Sequence, residues 1–459
     1  MANYLYGLSI QGIQEFIFTT NELKSIVGAS ELIKKINEKV KEKGFEKNII
    51  INAAGNIKLL FDEDEKAKLE KLVLEFPKEL HQASYGLTIS QAVVSFEEGK
   101  LKEAFEELEK RLFIQRNKAS LPLDMSINLI KNAPKTAKPM VESKKDMATL
   151  LKERASLESK QIPKNRKNKT AIIHIDGNGL GAMIASMLKD LKNDDAVIDA
   201  YKEFSRKLED ATTSAFNLAK EDIPEDDIRD VILGGDDVTV VCNANYALEF
   251  TQKFLAAFEK TTEELLGKDG LSACAGIAFC HHKYPFHYAV NLAESLCSYA
   301  KGISREKSSL MFHNIQSSNF SSFEEYIDKE LTIRHDHDTE KIFLHYGPYF
   351  IDEYDTYASI ENFLDICSAL ALKGSPLSRW REWLTILSQN KAVAKERLKR
   401  IEKMMDLRDD IYKKSVLIKA LKTFNKDIRL DELMVQRGND FYTPVGDINT
   451  YLSVTDGSK

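Results

Sequence analysis

Cysteine is scarce in this 459-residue chain and forms no pattern. Five occur, Cys242, Cys274, Cys280, Cys297 and Cys367, and no two are spaced as C-x-x-C. An odd number without ligand spacing excludes a disulfide scaffold and argues against zinc; these read as reduced, mostly buried thiols. No uninterrupted apolar stretch reaches the ~20 residues that span a bilayer, and no basic region near the N-terminus leads into a cleavable apolar core. A cytoplasmic protein without membrane contact is expected. Neither sign of charge is in excess: 65 Lys and Arg against 71 Asp and Glu leave a net −6. No global basic field therefore draws the chain to nucleic acid. With 43% hydrophobic and 30% charged residues the composition is globular, and the length allows two to four domains.

What is present is concentrated between Thr170 and Phe312. The apolar run Ala171-Ile172-Ile173-His174-Ile175 ends on Asp176 and the glycine-rich Gly177-Asn178-Gly179-Leu180-Gly181. This reads as a buried strand feeding a turn and a helix from Ala182 to Leu188. About 60 residues on, Val231-Ile232-Leu233, Gly234-Gly235-Asp236-Asp237 and Val238-Thr239-Val240-Val241 read as a hairpin with a carboxylate pair at its tip. Two divalent cations a few ångströms apart need converging carboxylates, and in phosphoryl transfer they activate a hydroxyl and stabilise the leaving oxygen. Asp176, Asp236 and Asp237 are the candidate catalytic and metal-ligating residues. Gly177, Asn178 and Gly179, with Gly234 and Gly235, offer backbone N–H groups to a nucleoside triphosphate with little steric hindrance. Taken alone, Gly-Gly-Asp-Asp is equally an ordinary hairpin turn; the strand ending on Asp176 is what favours chemistry.

These motifs resemble the second palm domain of the large polymerase–cyclase subunit of type III CRISPR effector complexes. Leu271 to Ala278, Tyr284-Pro285 through Ala289, Leu292-Ala293-Glu294, Ala300-Lys301 and Ser308-Ser309-Leu310 also fit that family. GGDEF cyclases are more distant kin, because Val238 follows Asp237 here. The resemblance implies two Mg²⁺ or Mn²⁺ ions, ATP as substrate, 3′-hydroxyl attack on an α-phosphate, and a cyclic di- or oligonucleotide, or a nucleotide conjugate, as antiviral messenger. It implies that Lys301 faces the triphosphate, although a lysine at a helix C-terminus equally complements the helix dipole. CRISPR RNA and other effector subunits are implied partners, with a scaffold subunit whose cyclase is RNA-triggered or absent as the rival reading. A homo-oligomer stays open. The expected version lacks the family's N-terminal HD nuclease domain and its linker zinc cysteines.

The fold class expected is α+β: two ferredoxin-like (βαββαβ) palms and a helical C-terminal domain. The divisions are a degenerate first palm (1–132), a linker (133–169), the second palm (170–320) and the helical domain (321–459). The first palm is read as an internal duplicate. Ile10-Gln11-Gly12 is aligned with Ile175-Asp176-Gly177, and Ala53-Ala54-Gly55-Asn56 with Gly234-Gly235-Asp236-Asp237. No carboxylate occupies the three ligand positions, so this copy is expected to bind no metal while contacting nucleotide. The linker's basic run, Lys164 to Lys169, is expected to be a solvated tether. His281, His282 and His287 lack acidic or thiol company at metal-site spacing, and Arg334-His335-Asp336-His337-Asp338 reads as a charged loop.

Overall fold

The computed structural model describes residues 2–20, 22–53, 55–118, 130–156, 161–191, 193–267, 270–315, 322–335, 339–407, 414–428 and 430–456. Ala54 of the first hairpin turn, Asp336-His337-Asp338 and the expected 320/321 boundary lie outside these.

The first palm runs β1 (Ala2–Gln11), α1 (Ile13–Ile17), α2 (Leu23–Glu42), β2 (Ile49–Ala53), β3 (Asn56–Phe61), α3 (Lys66–Ala83), β4 (Thr88–Glu97) and α4 (Leu101–Arg116). Its sheet has the order β2-β3-β1-β4, with every pairing antiparallel. This is the ferredoxin-like arrangement. Alternation decides the faces: Tyr6, Leu8 and Ile10 of β1 pack with α2 and α3, while Leu5 packs with α4.

The connector contains a helix that the sequence reading left out, α5 (Met147–Ala155). The second palm follows: β5 (Lys169–Gly177), α6 (Leu180–Leu188), α7 (Asp194–Lys220), β6 (Ile228–Gly234), β7 (Asp237–Asn243), α8 (Ala247–Leu266), β8 (Ala273–His281), α9 (Phe286–Ile303) and β9 (Ser309–Asn314). Its core order, β6-β7-β5-β8, repeats that of the first palm. The sheet is then extended by β9, parallel to β8. Strand β5 is central and buried on both faces, which is why it reads as a continuous apolar run.

One face of this sheet (Ala171, Ile173, Ile175, Val238, Val240) packs under α7 and α8. The other face (Ile172, Val231, Val241, Ala278) packs against α9 and against Ile26 and Ala29 of α2, so the two palms share one core.

The C-terminal region contains α10 (Phe323–Glu330), β10 (Thr332–Ile333), β11 (Ile342–Phe343), β12 (Tyr349–Phe350), α11 (Ile360–Ala371), α12 (Leu377–Gln389), α13 (Lys391–Asp406), α14 (Lys414–Phe424), β13 (Val435–Arg437), β14 (Asp440–Tyr442) and α15 (Val445–Val454). Beyond the expected helices it holds a small sheet, β10-β11-β14-β13, and β12 joins the second palm's sheet as its edge. Strands of two or three residues carry too little periodicity to read from sequence.

The basic run is exposed at Lys164, Arg166 and Lys167, as a solvated segment should be, but it is fastened to the fold and not a free tether. Lys167 Nζ donates to the Leu452, Ser453 and Thr455 carbonyls at the end of α15, and Asn165, nearly buried, donates to Val454 O at 2.6 Å. A lysine on the last carbonyls of a helix satisfies orphan acceptors and the dipole together. No helix among the described residues is long and apolar enough to cross a membrane.

Candidate functional site

The site is built where β5 ends beside the β6–β7 hairpin. Asp176 pairs across to Asp237 on β7 and to Cys274 on β8. The hairpin turn closes with Gly234 opposite Asp237, and Gly235 takes φ +61°, the backbone a two-residue hairpin turn demands. Thr212 of α7 donates to Gly235 O at 2.5 Å and so pins the turn. Gly177 N donates to Asp236 O at 3.1 Å. A Cβ on Gly177 would stand 2.7 Å from that of Asp236, so only glycine lets the Asp236 side chain lie over the strand end. Asn178 is buried, and its amide reaches Ser272 Oγ at 3.1 Å and Cys274 Sγ at 3.4 Å. Gly179, at φ +75°, opens α6. The fold therefore brings Asp176, Asp236, Asp237, Gly177, Asn178, Gly179, Gly234 and Gly235 to one edge of the sheet.

Lys301 joins them from the last turn of α9. Its Nζ donates to Asp176 Oδ2 at 2.5 Å and to Gly177 O at 2.9 Å, with its side chain 15% exposed. The lysine thus touches a carboxylate rather than serving only the dipole of its helix.

Burial, then the Asp176 charge, pushes the Asp236 carboxyl up. Burial, with Asp176, Asp236 and Glu294 adding, pushes Asp237 up to about 7. About two-fifths of the Asp237 side chain is open, which screens the repulsion; its Oδ1 is nevertheless enclosed and without a hydrogen-bond partner. His174, beneath, is buried and held down to about 4 chiefly by that burial. Its Nδ1 lies 3.5 Å from Asp237 Oδ1 and 3.5 Å from Thr239 Oγ1.

Crowded carboxylates with an orphaned buried oxygen fit a divalent cation, which would supply both the missing partner and the missing charge. Among the described residues, however, no three His, Cys, Asp or Glu side chains are gathered as a ligand set. The Asp176 Oδ2 that would complete such a set is held by the Lys301 ammonium.

Sequence reasoning gave no role to Glu294 or Lys152. Glu294 lies seven residues before Lys301, hence on the same face of α9. It lines a cavity of about 840 Å³ between the palms, whose wall includes Gln11, Gly12, Gln14, Lys138, Lys152 and His287. Lys152 of α5 is buried, its ammonium bonded to Phe16 O at the end of α1. Burial holds it down to about 8. A lone lysine in a connector carries no pattern that would have singled it out.

The duplication is real in the backbone, but its alignment shifts by two residues on the first strand. Ser9, not Gln11, stands opposite Asn56, as Asp176 stands opposite Asp237. Ile10 N donates to Gly55 O at 2.9 Å, as Gly177 N does to Asp236 O. Gln11 reaches Ser90 as Asn178 reaches Cys274, and Gly12 opens α1 with φ +59° as Gly179 opens α6. Arg116, sixteenth residue of α4, donates to Ser9 Oγ at 2.7 Å. It answers to Lys301, sixteenth of α9. Matching Gly12 to Gly177 misled the sequence alignment, because each palm turns on a glycine and the second palm has an additional one.

The family model for Cas10/Cmr2, second palm domain, matches residues 169–311. This segment is a Cas10-type second palm. A crystal structure of a Csm1–Csm4 cassette in complex with cA3 superposes with TM-score 0.56 and 14% identity over 98% of this chain and 69% of that one. The cassette with cA4 gives 0.55 and 14% over 98% and 69%, and that with AMPPNP gives 0.53 and 14% over 85% and 63%. At such identity the likeness is one of fold, and it extends the Cas10-like architecture beyond the matched palm. The cassette in complex with pppApA, at 15% identity and TM-score 0.49, is covered over 54% of its length, so this chain spans about half of that relative. No curated protein matches the sequence.

Proposed function

We propose that the chain is a palm-type nucleotidyltransferase that joins or cyclises nucleoside triphosphates, with ATP the first candidate. The observation that carries this reading is the enclosed, unpartnered Oδ1 of Asp237 beside Asp176 and Asp236. Asp176, Asp236 and Asp237 would hold two Mg²⁺ or Mn²⁺ ions. Bound there, such ions supply hydroxyl activation and neutralise charge on the reacting phosphate. Gly179, with open space over it at the start of α6, is suited to phosphate oxygens; the Gly177 and Asn178 N–H groups are already committed to Asp236 O and Ser272 O, so they hold the loop on the hairpin and beside β8 rather than cradle phosphate. Lys301 stands close enough to meet the triphosphate. The acceptor's 3′-oxygen forms the new bond to the donor α-phosphorus as the bond to pyrophosphate breaks. The cavity between the palms, with Glu294 on one wall and Gln11 and Gly12 of the first palm on another, would take the acceptor nucleotide, and holding it there would lower the barrier through positioning.

Incubating the full chain with each nucleoside triphosphate and Mn²⁺, with mass spectrometry of the products, tests the reading. Asp236→Ala or Asp237→Ala is expected to abolish product without unfolding the chain; wild-type turnover in either would remove that residue from the mechanism. An anomalous-scattering map from crystals soaked with Mn²⁺ and a non-hydrolysable nucleoside triphosphate is expected to show cations at the second palm alone, and a metal at Ser9, Gln11 or Asn56 would contradict it.

A subunit role in a type III CRISPR effector is proposed alongside catalysis, because the solved relatives are Csm1–Csm4 cassettes. Product from the isolated chain, or product only once target RNA and partner subunits are added, separates an autonomous cyclase from a triggered one.

A further inference from the structure

We propose that Lys301 is a stand-in cation: it occupies Asp176 until a divalent ion and a triphosphate arrive together, and so keeps the site from binding metal alone. The inference rests on the metal reading above. Its ground is the ion pair itself. Lys301 Nζ sits on Asp176 Oδ2 at 2.5 Å and on Gly177 O at 2.9 Å. Both partners are the last residues of β5, where the proposed metal site meets the turn into α6.

With 85% of its side chain covered, Lys301 is not a solvated surface pair worth little. A divalent ion at Asp176 competes for the oxygen that the ammonium holds. Nearby, Asp237 Oδ1 is enclosed and unpartnered, so one prospective ligand is left unserved while another is taken. Removing the ammonium would leave both available.

Once displaced, the ammonium needs a new anion. The space over the start of α6 is open: a Cβ built on Gly179 or Gly181 would meet nothing within 4 Å. A triphosphate lying there would receive the lysine as the metal takes its place. Metal and nucleotide are then coupled through one side chain, and by linkage each strengthens the other. Lys301 is in this sense a positioning residue whose free-state contact sets metal affinity.

Mn²⁺ binding to the full, nucleotide-free chain, followed by electron paramagnetic resonance, decides the matter. Lys301→Met is expected to bind Mn²⁺ about tenfold tighter than wild type or more, a coupling of ordinary allosteric size. Lys301→Arg, which keeps the charge, stays near wild type, and Asp237→Asn binds weaker than either. Arg305→Met removes the same charge four residues on and is expected to change affinity far less than Lys301→Met. Circular dichroism confirms folding, with Lys301→Gln replacing the methionine variant if that fails to fold. Equal Mn²⁺ affinity in wild type and the Lys301 variants, with Asp237→Asn weaker, overturns the stand-in while leaving the metal site intact. An Arg305→Met effect as large as that of Lys301→Met reduces it to bulk charge and overturns it too. No Mn²⁺ binding by any variant at millimolar concentration overturns both this inference and the metal reading.

Discussion

At the scale of single residues, Gly177 is the glycine on which the carboxylate turn depends. Its place beneath Asp236 leaves no room for a methyl group, since a Cβ would lie 2.7 Å from another Cβ. Gly177→Ala is expected to displace the carboxylate turn and cut product formation more than tenfold. Stability should fall by only about 1 kcal/mol, within the range of ordinary single substitutions, because the turn is at the sheet edge. Steady-state assay beside thermal melting checks this; full turnover would show the turn relaxes freely. His345 raises a different question. It is buried among Tyr299, Phe323, Phe343 and Tyr442, and burial, aided by Arg437, holds it down to about 3. Its folded pKa is depressed, so its contribution to stability is complete above the unfolded value near 6.5. That contribution is lost as pH falls from there toward 3, at roughly 1.4 kcal/mol per unit. Asp237 and Asp447, pushed up to about 7 and about 6, oppose this in the wild type, so the comparison must be with His345→Phe. The variant's melting temperature is expected to gain on wild type progressively between pH 6.5 and 4.5, and a constant difference would refute the assignment.

Elements were legible in proportion to their length and periodicity. Apolar periodicity predicts helices over 391–406, 100–116, 246–266 and 199–220; α13 falls on those bounds, and α4 and α8 each start one residue late. Helix α7 begins five residues before Asp199, at the acidic pair Asp194-Asp195 capped by Asn193, a start signal that was there to read. The backbone of the candidate site was readable because a strand–Asp–Gly-Asn-Gly element and a Gly-Gly-Asp-Asp hairpin each name their own turn. The ion pair of Lys301 with Asp176 was not, since 125 residues separate them and only the tertiary approach of α9 joins them. The clip on α15 was hidden in the same way. Lys167→Met is expected to strip the last turn of α15 of its cation and to lower stability by about 1 kcal/mol. Hydrogen exchange should quicken at Tyr451 to Val454 while product formation holds; unchanged exchange would mean that the lysine is merely near.

Over the whole molecule, the two palms are one folding unit. Ile172, Val231, Val241 and Ala278 of the second sheet lie in the same apolar cluster as Ile26, Ala29 and Ile36 of α2. Residues 160–320 expressed alone would expose that face, and large exposed apolar patches drive aggregation. We expect that fragment to be insoluble or inactive; full activity from it as a monomer would end the view that the first palm is needed. The backbone of the first palm also shows why a carboxylate pair is hard to build into it. Where the second palm has glycine on the strand and aspartate on the hairpin, the first has Ile10 on the strand and Gly55 on the hairpin. A Cβ on Gly55 would meet Ile10 Cβ at 3.1 Å and Ile13 Cδ1 at 2.8 Å, with φ at +74°. Ser9→Asp would therefore gain one carboxylate and no companion, and Gly55→Asp would clash until Ile10 became glycine. Building a carboxylate pair into the first palm therefore takes coordinated changes at Ser9, Ile10 and Gly55, none of which does the work alone.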